Sequence, residues 1–225
     1  MGWLGPEEWQ AVLLSLRVSL VATLVALPLG LAVAWALARG RFRGHALLSA
    51  LVHTPLVLPP VVTGYLLLLA FNPSAPLGAM MESLGLPLAF RWTGAALAAA
   101  VMAFPLMVRP IRLAFENVDP ALEETAGTLG ASRLRVFLTV TLPLSRTGII
   151  AGVVLAFAKA MGEFGATITF VANIPGETRT VPSAIYAFLQ VPGGDAAAWR
   201  LVLVALVLSL GAVVVSELLT RRAAR

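Results

Sequence analysis

Lys159 is the only lysine in the chain, and it stands four residues before Glu163 inside an otherwise apolar run. At that spacing two helical side chains share a face and can pair. An ionisable residue at membrane depth costs roughly 2.5–3.5 kcal/mol on insertion scales, so it marks a function by default. Two readings are open: a structural ion pair that locks helices together, or the polar lining of a path. Thr167 and Thr169, in the following Phe164-Gly165-Ala166-Thr167-Ile168-Thr169-Phe170, add hydroxyls to the same region. Bond-making chemistry has no comparable constellation. There is no cysteine, which excludes disulfides, thiolate metal sites and thiol catalysis. His45 lies in a basic loop and His53 at the start of an apolar run, neither with a recognisable serine or carboxylate arrangement of the kind a hydrolase needs. No Gly-x-x-x-x-Gly-Lys-Ser/Thr loop cradles nucleotide phosphates. We expect no catalytic residue, no metal site and no cofactor bound by this chain.

A second constellation is suited to contact. Glu123-Glu124-Thr125-Ala126-Gly127-Thr128-Leu129-Gly130 is a polar, small-residue segment between apolar runs. Asp119-Pro120 provides a helix start, aspartate as cap and proline in the first turn. Along that helix Ala126, Gly127, Gly130 and Ala131 leave a face with almost no bulk, against which another backbone can approach closely. A second apolar segment, 134–140, leads to Leu142-Pro143. An amphipathic linker lying on lipid headgroups is the plainer alternative.

The elements that must position these residues are membrane spans. Of 225 residues 59% are hydrophobic and only 12% charged, and the mean hydropathy is +0.91, far too apolar for a soluble domain. Runs of about 20 apolar residues are long enough to cross a hydrocarbon core. Five occur, at 11–38, 47–71, 92–116, 146–171 and 199–219, within a single transmembrane domain over 1–225. Most of the 16 basic residues fall in three groups: Arg39, Arg41 and Arg43; Arg109, Arg112, Arg133, Arg135 and Arg146; and Arg221, Arg222 and Arg225. These alternate with acidic or nearly neutral connections. The positive-inside rule then places the N-terminus outside, the C-terminus and the 117–145 loop in the cytoplasm. The sequence pI near 11 reports this topology; nucleic-acid binding would need a basic soluble surface. Ala36-Leu37-Ala38 resembles a signal cleavage site, but Glu7 and Glu8 stand where a signal has basic residues and the apolar run is too long, so we expect no cleaved leader.

Proline interrupts three of the runs: Pro28, then Pro55, Pro59 and Pro60, then Pro105 and Pro110. Each removes a backbone donor and is expected to bend its helix. Broken backbone at membrane depth is tolerated where protein or a water-filled cavity satisfies it, which favours a conduit over a plain anchor. Arg17, flanked by Ser15 and Ser19, is placed to reach the outer interface. Pro-Gly at 175–176 marks a turn, and 182–190, too short to span, predicts a helix at the outer face.

The loop resembles the cytoplasmic loop of ABC importer permeases, Glu-Ala-Ala, three residues, Gly, nine residues, Ile, one residue, Leu-Pro. Glu124-Thr125-Ala126, Gly130, Val140 and Leu142-Pro143 fall at those spacings, with threonine for the first alanine and valine for isoleucine. The segments 55–65, 103–109, 162–170 and 174–180 are further similar to the permeases of molybdate importers, with sulfate and tungstate permeases as close relatives. The resemblance implies an all-α, five-span, type I permease of a bacterial or archaeal inner membrane. It implies a homodimeric pore, two ATP-binding subunits holding ATP and Mg and docked on the loop, and an extracytoplasmic substrate-binding protein delivering molybdate or a related oxyanion. A secondary transporter is the rival, but the inverted repeats common in that class are absent from this sequence.

Overall fold

The computed structural model describes residues 3–224, with side chains described through Val215 and at Leu218. Among the described residues the regular structure is entirely helical: α1 (Pro6–Arg39), α2 (His45–Val57), α3 (Pro60–Phe71), α4 (Pro76–Ser83), α5 (Trp92–Glu116), α6 (Pro120–Thr128), α7 (Arg133–Val136), a π-helical turn (Phe137–Thr141), α8 (Leu142–Leu144), α9 (Arg146–Met161), α10 (Gly165–Val171), α11 (Val181–Leu189) and α12 (Asp195–Ala224). Arg225, and the side chains of Arg221 and Arg222, lie outside the described residues.

Helix α5 is the axis of the bundle, packed most extensively against α1 and α9. It is built for close approach: Ala95, Ala96, Ala98, Ala99 and Ala103 are all buried. Lipid tails are as apolar as leucine, so helices in a bilayer associate through van der Waals packing at small residues. A Cβ at Gly152 of α9 would lie 2.7 Å from the Met107 carbonyl oxygen, and one at Gly148 would collide with Ala114 of α5. Gly30 of α1 meets the Met107 sulfur in the same way, at 2.8 Å. The two α9 pairings run it antiparallel to α5, while Arg17 against Trp92 and Gly30 against Met107 run α1 parallel to it. Many leucines and valines point outward, Leu24, Val25, Leu29 and Val207 all being more than half exposed, while Ile111, Leu201 and Leu37 are buried.

Helices α1, α5 and α12 are each long and apolar enough to cross a membrane, and two bent pairs raise the possible number of spans to five. The run 47–71 is not one helix: α2 and α3 meet at 113°. Consecutive Pro59 and Pro60 supply no backbone donors, and proline forces its predecessor out of helical geometry, so Leu58 is extended at φ −70°, ψ 140°. Elsewhere the helix runs on through proline, α1 through Pro28 and α5 through Pro105 and Pro110. The run 146–171 is likewise divided. Helix α9 ends at Met161 and α10 begins afresh at Gly165, while α9 is entered through a 73° bend after α8. Helix α4 was not anticipated.

Gly152→Val is expected to lower stability by about 1–3 kcal/mol through overpacking against α5. Gly211→Val, whose Cβ meets nothing within 4 Å, should stay within about 0.5 kcal/mol of wild type. Thermal denaturation of the two variants in detergent makes the comparison, and equal losses would contradict the small-residue packing.

Candidate functional site

The break between α9 and α10 is made by Glu163. In a continuous helix the Ala166 N–H would bond the carbonyl of Gly162; instead it donates to Glu163 Oε1 at 2.9 Å. The other carboxylate oxygen accepts from Lys159 Nζ at 2.7 Å. Glu163 is buried at 2% exposure whereas the Lys159 side chain is 30% exposed. The pair therefore bridges the two helices from the last turn of α9, and its carboxylate serves as the cap of α10. Thr167 is buried and donates to the Phe164 carbonyl at 2.9 Å, and Thr169 donates to the Gly165 carbonyl at 2.9 Å. Both hydroxyl protons are thus committed to backbone within the same short helix.

Helix α10 packs on α3 with almost no space between. A Cβ at Gly64 would overlap the Ala166 carbonyl, and one at Gly165 would lie 2.7 Å from Pro60 Cβ. The two breaks, at Pro59-Pro60 and at Glu163, are therefore brought face to face. Beyond α10, Ala172 takes φ 61°, and the turn that follows is tied down by Thr178, which accepts from Ile174 N at 2.9 Å, and by Arg179, which reaches Asn173 and Glu7 of α1. Ser15 of α1 accepts from Val181 N at 2.7 Å, satisfying a free donor at the start of α11. Glu8 pairs with Arg200 of α12 at 2.8 Å. Arg17 lies 3.7 Å over the Trp92 ring, a cation–π contact that residue spacing alone could not foresee.

At the opposite end of the bundle the loop takes a defined shape. Asp119 caps α6 through Ala121 N at 2.9 Å, as expected. The helix ends in a Schellman turn, Ala131 N to Ala126 O at 3.1 Å and Gly130 N to Gly127 O at 3.0 Å, with Gly130 left-handed at φ 88°. Gly130 is thus required by backbone conformation, and a Cβ there would meet nothing within 4 Å. Glu124, Gly127 and Ala131 line a cleft of about 440 Å³ against Trp35 and Arg39 of α1. Thr125 and Gly130 are exposed, as is Leu129 at 84%.

Glu123, outside the matched pattern, is what anchors this helix. It accepts from Thr141 Oγ1 at 2.6 Å and pairs with Arg39 at 3.3 Å, while Arg39 also donates to the Val118 carbonyl at 2.8 Å. Val140 lies in the π-helical turn, whose wider ring carries the Leu142 N–H to the Phe137 carbonyl five residues back. Pro143 accounts for it, since in an α-helix its ring would strike the carbonyl of Thr139. Phe137 is edge-on to Phe115 at 5.9 Å and to Trp35 at 6.0 Å, wedging the turn between α5 and α1. The loop residues are thus physically joined to the ends of three helices, while the Lys159–Glu163 group stands at the far end of α9. Nothing in sequence spacing distinguished Glu123 from Glu124; only the approach of Arg39 and Thr141 does. His45 hydrogen-bonds the Leu37 carbonyl at 2.9 Å and His53 the Ser49 carbonyl at 2.7 Å.

Apolar helices long enough to cross a membrane, with a short loop helix held against a bent span, form a fold shared with transporters of known structure. A bacterial ABC transporter involved in the import of the acidic polysaccharide alginate has the same fold, with a TM-score of 0.75 at 19% identity over 97% of this chain and 80% of that one. Residues 26–225 match the family model described as binding-protein-dependent transport system inner membrane component, and the chain belongs to that family. It is similar to the molybdenum transport system permease protein ModB of Escherichia coli (strain K12), 58% identical over 97% of this chain and 96% of that protein. The ModB of Haemophilus influenzae is 53% identical over 96% and 94% of the two chains. The protein is therefore a multi-pass inner-membrane component of a binding-protein-dependent transport system.

Lys159→Met should destabilise by about 3 kcal/mol at most, below the range for fully buried pairs because the lysine is partly exposed. Because Glu163 also caps α10, Lys159→Met with Glu163→Gln, which keeps an acceptor for Ala166 N–H, is expected to recover more than Lys159→Met with Glu163→Met. Detergent melting of the three variants measures the order, and equal recovery would argue against the cap.

Proposed function

We propose that this chain is the permease subunit of an ATP-driven importer carrying molybdate into the cytoplasm. The observation that carries the reading is that similarity to the E. coli molybdenum permease runs through 97% of the chain, so it takes in both the α9–α10 break and the loop. Five spans are counted as α1, the α2–α3 pair, α5, α9 with its bent entry, and α12, in a type I permease with its N-terminus outside and its C-terminus in the cytoplasm. Two copies form the pore, two ATP-binding subunits carry ATP and Mg, and an extracytoplasmic binding protein delivers the oxyanion from the side of Glu7, Arg91 and Glu177.

The coupling works through contacts already described. An ATPase subunit gripping α6 moves Glu123, and with it Arg39 at the end of α1 and Thr141 in the π-helical turn. The turn leads directly into α9 through its 73° bend, so displacement at the loop reaches the Lys159–Glu163 bridge along one helix. A bistable element whose two states are favoured differently by nucleotide is what such coupling requires. The α3–α10 crossing is suited to that role because it joins two breaks. Lys159 is the group there able to turn toward a dianion; Thr167 and Thr169 would first have to give up backbone acceptors, and Glu163 repels anions unless paired. Binding along the path is accordingly weak, and selectivity belongs to the binding protein.

The test is ATP hydrolysis by the reconstituted assembly with and without molybdate-loaded binding protein. Gly127→Leu, in open space at ordinary helical geometry, should abolish stimulation with the permease still folded. Gly130→Asn should retain most of it, since asparagine tolerates left-handed backbone, whereas Gly130→Leu combines strain with bulk. Stimulation that survives Gly127→Leu would remove α6 as the docking element, and transport that persists without ATP would favour a secondary transporter.

A further inference from the structure

A polar cavity of about 380 Å³ opens between α2 and α5, lined by Ser49, His53, Arg109, Arg112, Leu113 and Glu116. It is separate from the Lys159–Glu163 bridge and from the coupling loop. Arg109 lies seven residues before the end of α5, about 10 Å into the helix from its Glu116 end. Among the described residues it has no ion pair or hydrogen bond and is exposed to the cavity. Arg112, on the same face, is matched by Glu116 at 2.7 Å. His53 Nδ1 faces the Ser49 carbonyl at 2.7 Å. A carbonyl only accepts, so Nδ1 carries the proton; in the neutral ring Nε2 is an acceptor, and the donors to an anion here are the guanidinium groups. The cavity thus presents one uncompensated guanidinium, a second shared with a carboxylate, and an imidazole.

A charged side chain at membrane depth normally faces the bundle interior or a water-filled cavity and pairs there. Guanidinium is planar, permanently charged and suited to two-point recognition of oxyanions. We infer that the Arg109 cavity is an oxyanion waystation near the Arg39 end of the bundle, which under the molybdate-permease reading is the exit side. This rests on that reading. The competing carboxylate of Glu116 keeps the site's net positive charge small, so the anion is drawn in without being trapped. A free tetrahedral dianion and a lipid phosphate headgroup share this chemistry, and the experiment separates them.

The chain contains no cysteine, so Ser49→Cys places a single thiol in the cavity wall. The permease, assembled with its ATPase subunits in phosphatidylcholine nanodiscs without nucleotide, is treated with a charged thiol reagent. Millimolar molybdate should slow labelling of this chain roughly fivefold or more, as expected for a mostly occupied site, and adding Arg109→Gln should remove the protection. Leu113→Cys replaces Ser49→Cys if the latter fails to assemble. An unreactive thiol, or labelling indifferent to molybdate, overturns the inference. So does protection that appears on adding phosphatidylglycerol alone, which would assign the cavity to a lipid headgroup. In proteoliposomes Arg109→Gln should cut ATP-driven molybdate uptake about tenfold, with Arg109→Lys intermediate, through loss of a charge on the path. If the wild-type assembly imports no molybdate, the permease reading itself fails; if it imports molybdate but the thiol is not protected, only the waystation fails.

Discussion

Everything in this molecule depends on how closely α5 can approach its neighbours. In hydrocarbon there is no hydrophobic gain from bringing one apolar helix to another, so contact area and backbone proximity must hold the bundle together. The alanine face of α5 and glycines 30, 148 and 152 permit that proximity. The same solution recurs where α3 crosses α10 at Gly64 and Gly165. Many leucines and valines are left exposed on the outer faces, while Met107, Ile111 and Phe115 fill the buried face of α5 between its small residues.

Polar interactions act at the places where helices are interrupted. An interruption exposes donors or acceptors that the bilayer cannot satisfy, and three of them are answered by particular side chains. Glu163 takes the Ala166 N–H at the start of α10, Ser15 takes the Val181 N–H at the start of α11, and Arg39 with Glu123 closes the end of α1 over α6. These ties join elements distant in sequence, so the breaks are points of articulation with defined partners. A loop helix linked through Glu123 and Thr141 to a bent span is a mechanical arrangement that a simple anchor does not require.

The 117–145 loop is legible in unequal parts. Its cap at Asp119 and its short helix follow from local backbone chemistry, and the structure contains both. Gly130 was read for its missing bulk, yet its left-handed backbone and open surroundings make it a turn residue first. The π-helical turn escaped notice because proline predicts a disturbed helix without specifying which register will absorb it. The Lys159–Glu163 pairing followed from spacing, but the cap on α10 did not, since it depends on the helix stopping at Met161.

What the sequence by itself determined was composition and period: a membrane protein, the rough position of its apolar runs, the alternation of basic connections, and a polar small-residue loop. These are properties of neighbouring residues and of bulk partitioning, and they need no knowledge of what packs where. Tertiary structure alone decided that Glu123 rather than Glu124 anchors the loop, that Arg17 covers Trp92, and that His53 and Arg109 share one cavity. The physical reason is common to all three. Each outcome depends on whether a group from a remote element arrives to satisfy a freed donor, an exposed charge or an empty volume, and the linear order of residues does not encode that arrival.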